Sequence, residues 1–414
     1  MRILHIVHQY PPDRIGGVEL YTQAISLELV RRGHAVGIFY RRSAPGRGMD
    51  HRAEAGIQMF VVWDGVLDPA RRLLANFGDA FIQEAFARVL SEFRPDVIHV
   101  QHLMGLPISL LSEARRRGIP LVITLHDYWW VCLNAQLLTN YSGEICAGPR
   151  GYWNCARCML ARAGRPWLWP ALPFLAGLAA WRNRMLRWGL DAAQRIIAPA
   201  VFVREWYVAQ GLSERKIVTL PFGVHRPSHL SPSRKEGEIR FAYIGGLAWQ
   251  KGVHVLVKAF SEVSGNATLW IAGDETFDPA YVAYLRALAS PKVRFLGRLD
   301  RAEVWDILAQ VDVVVVPSLW HETFSFLISE AFSVGLPVLA SRLGALAERV
   351  RHGVDGLLIL HGDVRAWREA IQQLIDQPEY LIHLRAGVQP PMTMEEHRDR
   401  LERLYMEIIC EDSA

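Results

Sequence analysis

Two carboxylates, Glu322 and Glu330, flank a short polar turn that follows four consecutive valines, Val313 to Val316. A carboxylate cannot hold a phosphate, but it accepts hydrogen bonds from hydroxyls. The turn residues Thr323, Phe324 and Ser325 lead into a stretch that reads as a helix from about Ser325 to Gly335, with Pro337 just beyond as a stop signal. The amides and positive dipole end of a helix N-terminus suit a phosphate. A phosphate site with hydroxyl acceptors on both sides is the outline of a nucleotide sugar. The same two residues would also serve as a helix cap and a solvated helix face. Glutamates at this spacing arise often by chance, so the pair alone does not choose.

Other residues could join this chemistry. Gly245, Gly246 and Lys251-Gly252 lie between a strand and a helix, where glycines let backbone amides approach a phosphate and a lysine can neutralise it. Gly16 and Gly17 stand in the same position after the first strand. An ordinary tight turn explains either pair equally well. His126 and Asp127 end the strand Leu121–Leu125, on the edge where doubly wound sheets bind ligands; a capping or buried polar pair is the plain alternative.

These residues need a scaffold. The chain has 414 residues, more than one ordinary core organises, so two domains are expected. Charged residues make up 21% and hydrophobic residues 51%, a globular composition, and a net charge of +4 gives no basis for nucleic-acid binding. Met1-Arg2 leads straight into an apolar strand, and no apolar run approaches the ~20 residues of a membrane span, so a cytoplasmic protein without structural disulfides is expected. Strand-like and helix-like stretches alternate twice, with a linker rich in Pro, Ser and Lys from His225 to Gly237 between them. Ala70–Phe93 reads as one helix and Glu395–Ile409 as a final amphipathic one. Residues 128–190 break the alternation.

Taken together, the motifs resemble the GT-B fold glycosyltransferases of family 4. The matches are Gly16-Gly17-Val18-Glu19, His126, Pro221-Phe222-Gly223-Val224-His225, Gly245 through Lys251-Gly252, and Gly273-Asp274. They continue with Phe295-Leu296-Gly297, Glu322 with Glu330, Gly335-Leu336-Pro337-Val338, Glu348, and Gly353 to Gly356. The resemblance implies an α/β chain of two facing Rossmann-like domains: residues 1–222 for the acceptor, 223–387 for the nucleotide sugar, and 388–414 as a helix returning to the first domain. It implies a retaining hexosyl or related transferase that acts on a glycan or lipid-linked acceptor, in surface polysaccharide or glycolipid synthesis, without a catalytic divalent metal. Glu330 would accept from the ribose hydroxyls, Glu322 would face the donor sugar, and the amides of Thr323, Phe324 and Ser325 would meet the sugar or diphosphate. Lys251 would neutralise the diphosphate, with Gly16 and Gly17 closing on it from the first domain and Gly245 and Gly246 beside it. His126 would stand near the reacting sugar. Two positions depart from the pattern: Gly246 where an arginine is common, with Arg298 and Arg342 as candidate replacements, and Ser325 where a glycine is frequent.

Two features lie outside this scheme. Cys132, Cys146, Cys155 and Cys158 occur in one irregular segment that ends in Cys-x-x-Cys. Four thiolates in a reducing compartment suit a structural zinc ahead of an iron–sulfur cluster, with separate buried thiols as the alternative. A similar four-cysteine insertion occurs in a subgroup of the transferases resembled. A catalytically weak scaffold that acts through this module is the competing functional class. Finally, residues 162–188 interleave five arginines with Trp167, Trp169, Trp181 and Trp188 around a short apolar stretch whose prolines should break a long helix. That composition suits contact with an anionic membrane face, or else completion of the first domain's core.

Overall fold

A computed structural model describes residues 1–227 and 237–412; most of the expected linker, residues 228–236, lies outside the described residues. The chain forms two compact units. Unit 1 joins Met1–Phe222 to Met394–Ala414, and unit 2 is Gly223–Thr393.

Unit 1 carries an eight-stranded sheet of β1 (Arg2–Val7), β2 (Ala35–Arg41), β3 (Arg47–Glu54), β4 (Ile57–Asp64), β5 (Val97–Val100), β6 (Leu121–Thr124), β7 (Arg195–Ala198) and β8 (Ile217–Thr219). The strand order is β3-β4-β2-β1-β5-β6-β7-β8, and every pairing is parallel except that of β3 with β4. Unit 2 is wholly parallel: β9 (Ile239–Ile244), β10 (Ala267–Ala272), β11 (Val293–Gly297), β12 (Val313–Val316), β13 (Val338–Ser341) and β14 (Gly356–Ile359), ordered β11-β10-β9-β12-β13-β14. Strand order reverses between β9 and β12 in unit 2 and between β1 and β5 in unit 1. At such a reversal the crossovers diverge and leave a crevice at the carboxyl ends of the strands.

The valine run shows why these strands form where they do. Val313 and Val315 face one core, packed with Leu256, Phe260 and Trp367, whereas Val314 and Val316 face the other, with Trp305, Ile328 and Ala331. Side chains alternate along a strand, so a strand covered on both faces must be apolar throughout.

Two local expectations are revised, and one strand was not anticipated. The stretch read as one helix from Ala70 is two, Pro69–Leu74 and Ala80–Phe93, each with its own aspartate cap, Asp68 and Asp79. Residues 128–190 contain the helices Trp153–Arg162 and Leu172–Ala192. Pro173 does not break the second of these. It lies in the first turn, where a helix needs no amide hydrogen from it. Strand β3, RGMDHRAE, is too polar to read as a strand and is held by antiparallel pairing to β4.

The last helix, Met394–Asp412, packs in unit 1 against the helix Gly17–Arg31. His397 donates from Nδ1 to the Pro221 carbonyl at 2.8 Å and accepts from the Tyr21 hydroxyl at 2.8 Å. Tyr405 bonds His99 at 2.6 Å beneath the sheet's centre.

Candidate active site

In unit 2 the crevice between β9 and β12 is built by close backbone approach. Gly252 adopts φ +71°, and a Cβ there would stand 1.9 Å from the carbonyl oxygen of Pro317, so only glycine fits. The Leu319 amide donates to the Gln250 carbonyl at 2.8 Å. These two contacts fasten the Lys251 turn to the end of β12. Beside it, a Cβ at Gly273 would meet the Gly245 carbonyl at 2.2 Å, and the Tyr243 hydroxyl donates to the Gly246 carbonyl at 2.7 Å.

Lys251 therefore reaches Glu322, Nζ to Oε1 at 2.6 Å, and its ammonium lies 5.1 Å from the Trp320 ring centre. The same buried carboxylate oxygen accepts from Ser318 Oγ at 2.7 Å and Trp320 Nε1 at 3.0 Å. Glu322 Oε1 is thus engaged within the turn, and Glu322 is not the helix cap. That place belongs to Ser325, whose hydroxyl makes no capping bond and whose φ is +68°, a value that accounts for the glycine more common there. The helix Phe326–Ser333 begins at this point. Its first turn presents amides without intrahelical partners, together with the positive dipole end. Glu330 is buried one turn further on and is held by Arg301 at 2.5 Å.

Arg349 braces the turn from below. It donates to the Phe324 carbonyl at 3.1 Å and to Ser329 Oγ at 2.6 Å, and its guanidinium stacks 3.6 Å from the Phe324 ring centre. Burial lowers its pKa to about 9, still high enough to keep the charge at neutral pH. The two candidates for the arginine missing at Gly246 have partners within unit 2. Arg298 stands 3.7 Å from Asp274, and Arg342 donates to the Leu358 carbonyl. Arg301 and Arg349 come from outside the motif and carry no signal in its spacing.

In unit 1, Gly16 caps the helix Gly17–Arg31 in an extended conformation, and a Cβ there would lie 2.7 Å from Glu19 Oε2. Glu19 folds back to His8 at the end of β1, at 3.3 Å. The His8 ring lies 4.4 Å from that of His102, which meets Asp127 at 3.2 Å. Two imidazole–carboxylate pairs thus face each other at the ends of β1, β5 and β6. Burial lowers the pKa of His8 and raises that of Glu19, which favours a neutral imidazole hydrogen-bonding at the pair. His8 and His102 were not singled out from sequence; His8 directly follows β1 and His102 lies two residues beyond β5. His126 donates from Nε2 to Gln101 Oε1 at 2.8 Å and stacks on Phe222. Burial lowers its pKa to about 3, so it is a neutral hydrogen-bonding group and not a reservoir of acid.

The four cysteines gather in unit 1. The Cys132 sulfur accepts from the backbone amides of Leu137, Asn134 and Gln136, and the Cys158 sulfur from that of Asn140 at 3.4 Å. Burial, then the neighbouring Cys132, Cys146 and Cys158, raise the pKa of Cys155 to about 12. Among the described residues no three of these sulfurs come within 4.8 Å of one another. That is wider than a closed tetrahedral zinc set, whose sulfurs stand about 3.8 Å apart.

Comparison with known proteins accords with this geometry. Residues 15–226 match the description Glycosyltransferase Family 4, and residues 238–377 match Glycosyl transferases group 1. The chain is 39% identical to the D-inositol 3-phosphate glycosyltransferase of Thermobispora bispora over 412 residues, covering 92% of this chain and 88% of that one. It is 26% identical to the glycogen synthase of Mycobacterium tuberculosis over 396 residues, covering 91% and 87%. In fold it is similar to sucrose-phosphate synthase of Thermosynechococcus elongatus, with a TM-score of 0.74 at 20% identity covering 99% of each chain. It is also similar to Anabaena HepE in complex with UDP and glucose, with a TM-score of 0.66 at 18% identity covering 98% and 100%. The chain belongs to glycosyltransferase family 4 and is a glycosyltransferase enzyme of the GT-B fold.

Proposed function

We propose that this enzyme moves a hexosyl or related sugar from a nucleoside-diphosphate sugar to a glycan or lipid-linked acceptor, with retention of anomeric configuration, in surface polysaccharide or glycolipid synthesis. The carrying observation is the order of groups along one crevice: buried Glu322 with Lys251, then the N-terminus of Phe326–Ser333, then buried Glu330. Sugar hydroxyl, diphosphate and ribose hydroxyl find acceptor, cation with amides, and acceptor in that order. Similarity to a glycogen synthase, to an inositol-phosphate transferase and to a structure with bound UDP and glucose supports a nucleotide-sugar donor.

In this reading Lys251 turns from Glu322 toward the diphosphate as the anomeric C–O bond breaks and charge collects on the leaving oxygen. The acceptor hydroxyl forms the new bond on the same face of the sugar, and its proton passes to the departing diphosphate. Glu322, held in place by Ser318 and Trp320, then orients the sugar. Glu330 exchanges part of its contact with half-exposed Arg301 for the ribose hydroxyls. His126 and the His8–Glu19 and His102–Asp127 pairs offer hydrogen bonds to the sugar or acceptor.

The test is hydrolysis and transfer with a panel of nucleotide sugars. Lys251→Ala should lose about 100-fold or more in turnover while remaining folded, as for loss of one preorganised charge contact. Unchanged turnover in the folded variant removes Lys251 from the site.

The four cysteines are proposed to hold a structural zinc. The donor type fits, and the amides aimed at Cys132 and Cys158 are those that stabilise thiolates; binding would draw the sulfurs together. Purified protein should contain about one zinc per chain. A metal-free preparation of undiminished stability would refute this.

A further inference from the structure

The helix Leu172–Ala192 carries large aromatic side chains on its exposed side. Its buried side carries Ala176, Ala179, Arg182, Asn183, Leu186 and Leu190. Arg182 there donates to the Trp129 carbonyl at 2.8 Å and to Asn183 at 2.9 Å. Its outward side carries Phe174, Trp181 and Trp188, seven residues apart, with relative exposures of 74%, 51% and 40%. Seven residues are nearly two full turns, so these rings form one stripe, with Arg184 on it. The stripe runs ~21 Å at 1.5 Å per residue. Trp167 and Trp169, 66% and 69% exposed, extend it beyond the helix start. A water-facing helix side is normally polar, and a contiguous aromatic one marks a surface that meets something apolar.

The charge around it names the partner. From Ile145 to Leu190 there are seven arginines and no aspartate or glutamate, whereas the rest of the chain has 39 basic against 42 acidic residues. All of the chain's excess positive charge lies in this segment; Arg182 is buried and Arg187 pairs with Asp191, and the exposed arginines are Arg150, Arg157, Arg162, Arg165 and Arg184. Such a surface repels a second copy of itself and attracts an anionic one. Beside the stripe is an open groove of about 410 Å³ lined by Phe77, Ile108, Trp181, Arg184, Met185 and Trp188, with the Phe77 and Trp181 rings stacked at 4.3 Å. Its walls are apolar apart from the guanidinium of Arg184 and two serines, an arrangement that suits a hydrocarbon chain ending in a phosphate.

We propose that this face of unit 1 docks on an anionic phospholipid bilayer, with Phe174, Trp167, Trp169, Trp181 and Trp188 at headgroup depth, the arginines on lipid phosphates and one lipid chain in the Arg184 groove. No described helix is long and apolar enough to cross a membrane, so the contact is peripheral. The proposal concerns a surface outside the donor crevice and stands or falls independently of it.

The test is co-flotation of the full chain with vesicles of phosphatidylcholine alone, and of phosphatidylcholine with about a third phosphatidylglycerol, at low and high salt. Binding only to the anionic vesicles, weakened by salt, is expected. Each arginine changed among Arg162, Arg165 and Arg184 to Gln should weaken binding about fivefold, the worth of one juxtamembrane cation. Phe174→Ser with Trp167→Ser and Trp169→Ser should reduce it at least tenfold at unchanged melting temperature, since these side chains support no core. Equal binding to both vesicle types overturns the proposal. So does flotation unaffected by either set of variants, or self-association of the free protein through this face without vesicle binding.

Discussion

Replacing Gly252 by alanine tests how the donor crevice is held. The added Cβ would stand 1.9 Å from the Pro317 carbonyl oxygen, where real Cβ contacts essentially never fall below 3.0 Å. Both sides of the clash are backbone, so neither can swing away. The turn and the end of β12 must separate by about 1 Å, which stretches the 2.8 Å bond from the Leu319 amide to Gln250 out of useful range. Losing that bond costs about 1 kcal/mol. Holding alanine at φ +71° costs a further ~1–2 kcal/mol. A total of about 2–3 kcal/mol should lower the melting temperature of a unit this size by roughly 4–12 °C. Lys251 is the adjacent residue and moves with the turn, and a displacement of about 1 Å in a positioning group costs on the order of 100-fold in turnover. Calorimetry and donor turnover on one preparation are the assays. A Gly252→Ala protein that melts within about 2 °C of the parent and turns over normally would show that the turn is not pinned to β12, and the argument for Lys251's placement would fail.

Other outcomes follow from the same geometry. A Cβ at Gly246 meets nothing within 4 Å, so Gly246→Arg has room, and nucleotide affinity measured by calorimetry should rise about 10–100-fold if a charged hydrogen bond to the diphosphate is gained. Ser325→Gly should relieve the positive φ and raise the melting temperature by roughly 2–4 °C. Glu330→Gln should raise the donor KM about tenfold or more with a smaller change in kcat; equal loss in kcat alone would move Glu330 away from ribose binding. Burial depresses His5 and His126 to about 3 and His397 to about 4, below the ordinary value of 6.5. The unfolded chain therefore takes up protons that the folded one refuses. Stability is fully present above pH 6.5 and falls as pH drops toward 4, by up to ~1.4 kcal/mol per pH unit for each histidine. Urea unfolding at pH 7 and pH 5 measures this, and equal stability at both would refute it.

The parts of the fold legible in the sequence were those fixed by neighbouring residues. Val313–Val316 announced a doubly buried strand because both faces are covered, and Glu322 and Glu330 were legible as candidates because turn and helix are contiguous. What local pattern did not convey depends on distant partners. Strand β3 exists because β4 offers it a free edge, not because RGMDHRAE favours extension. Arg301 and Arg349 reach Glu330 and Phe324 from other elements, at sequence separations that no motif spans. His8 and His102 become a pair only once β1 and β5 lie side by side. Pro173 looked like a breaker because its meaning depends on whether a helix begins there or continues through it.

The placement of the final helix has a consequence for synthesis. Unit 1 needs Met394–Asp412 to complete Tyr21, His99 and their hydrogen bonds, yet unit 2, Gly223–Thr393, is translated first. During translation the first half must therefore wait, with its sheet partly uncovered, while the second half, contiguous in the chain, can finish on its own. A released chain truncated after Thr393 should then protect unit 2 from protease while unit 1 remains open to it. The enzyme becomes whole only after its last helix has left the exit tunnel.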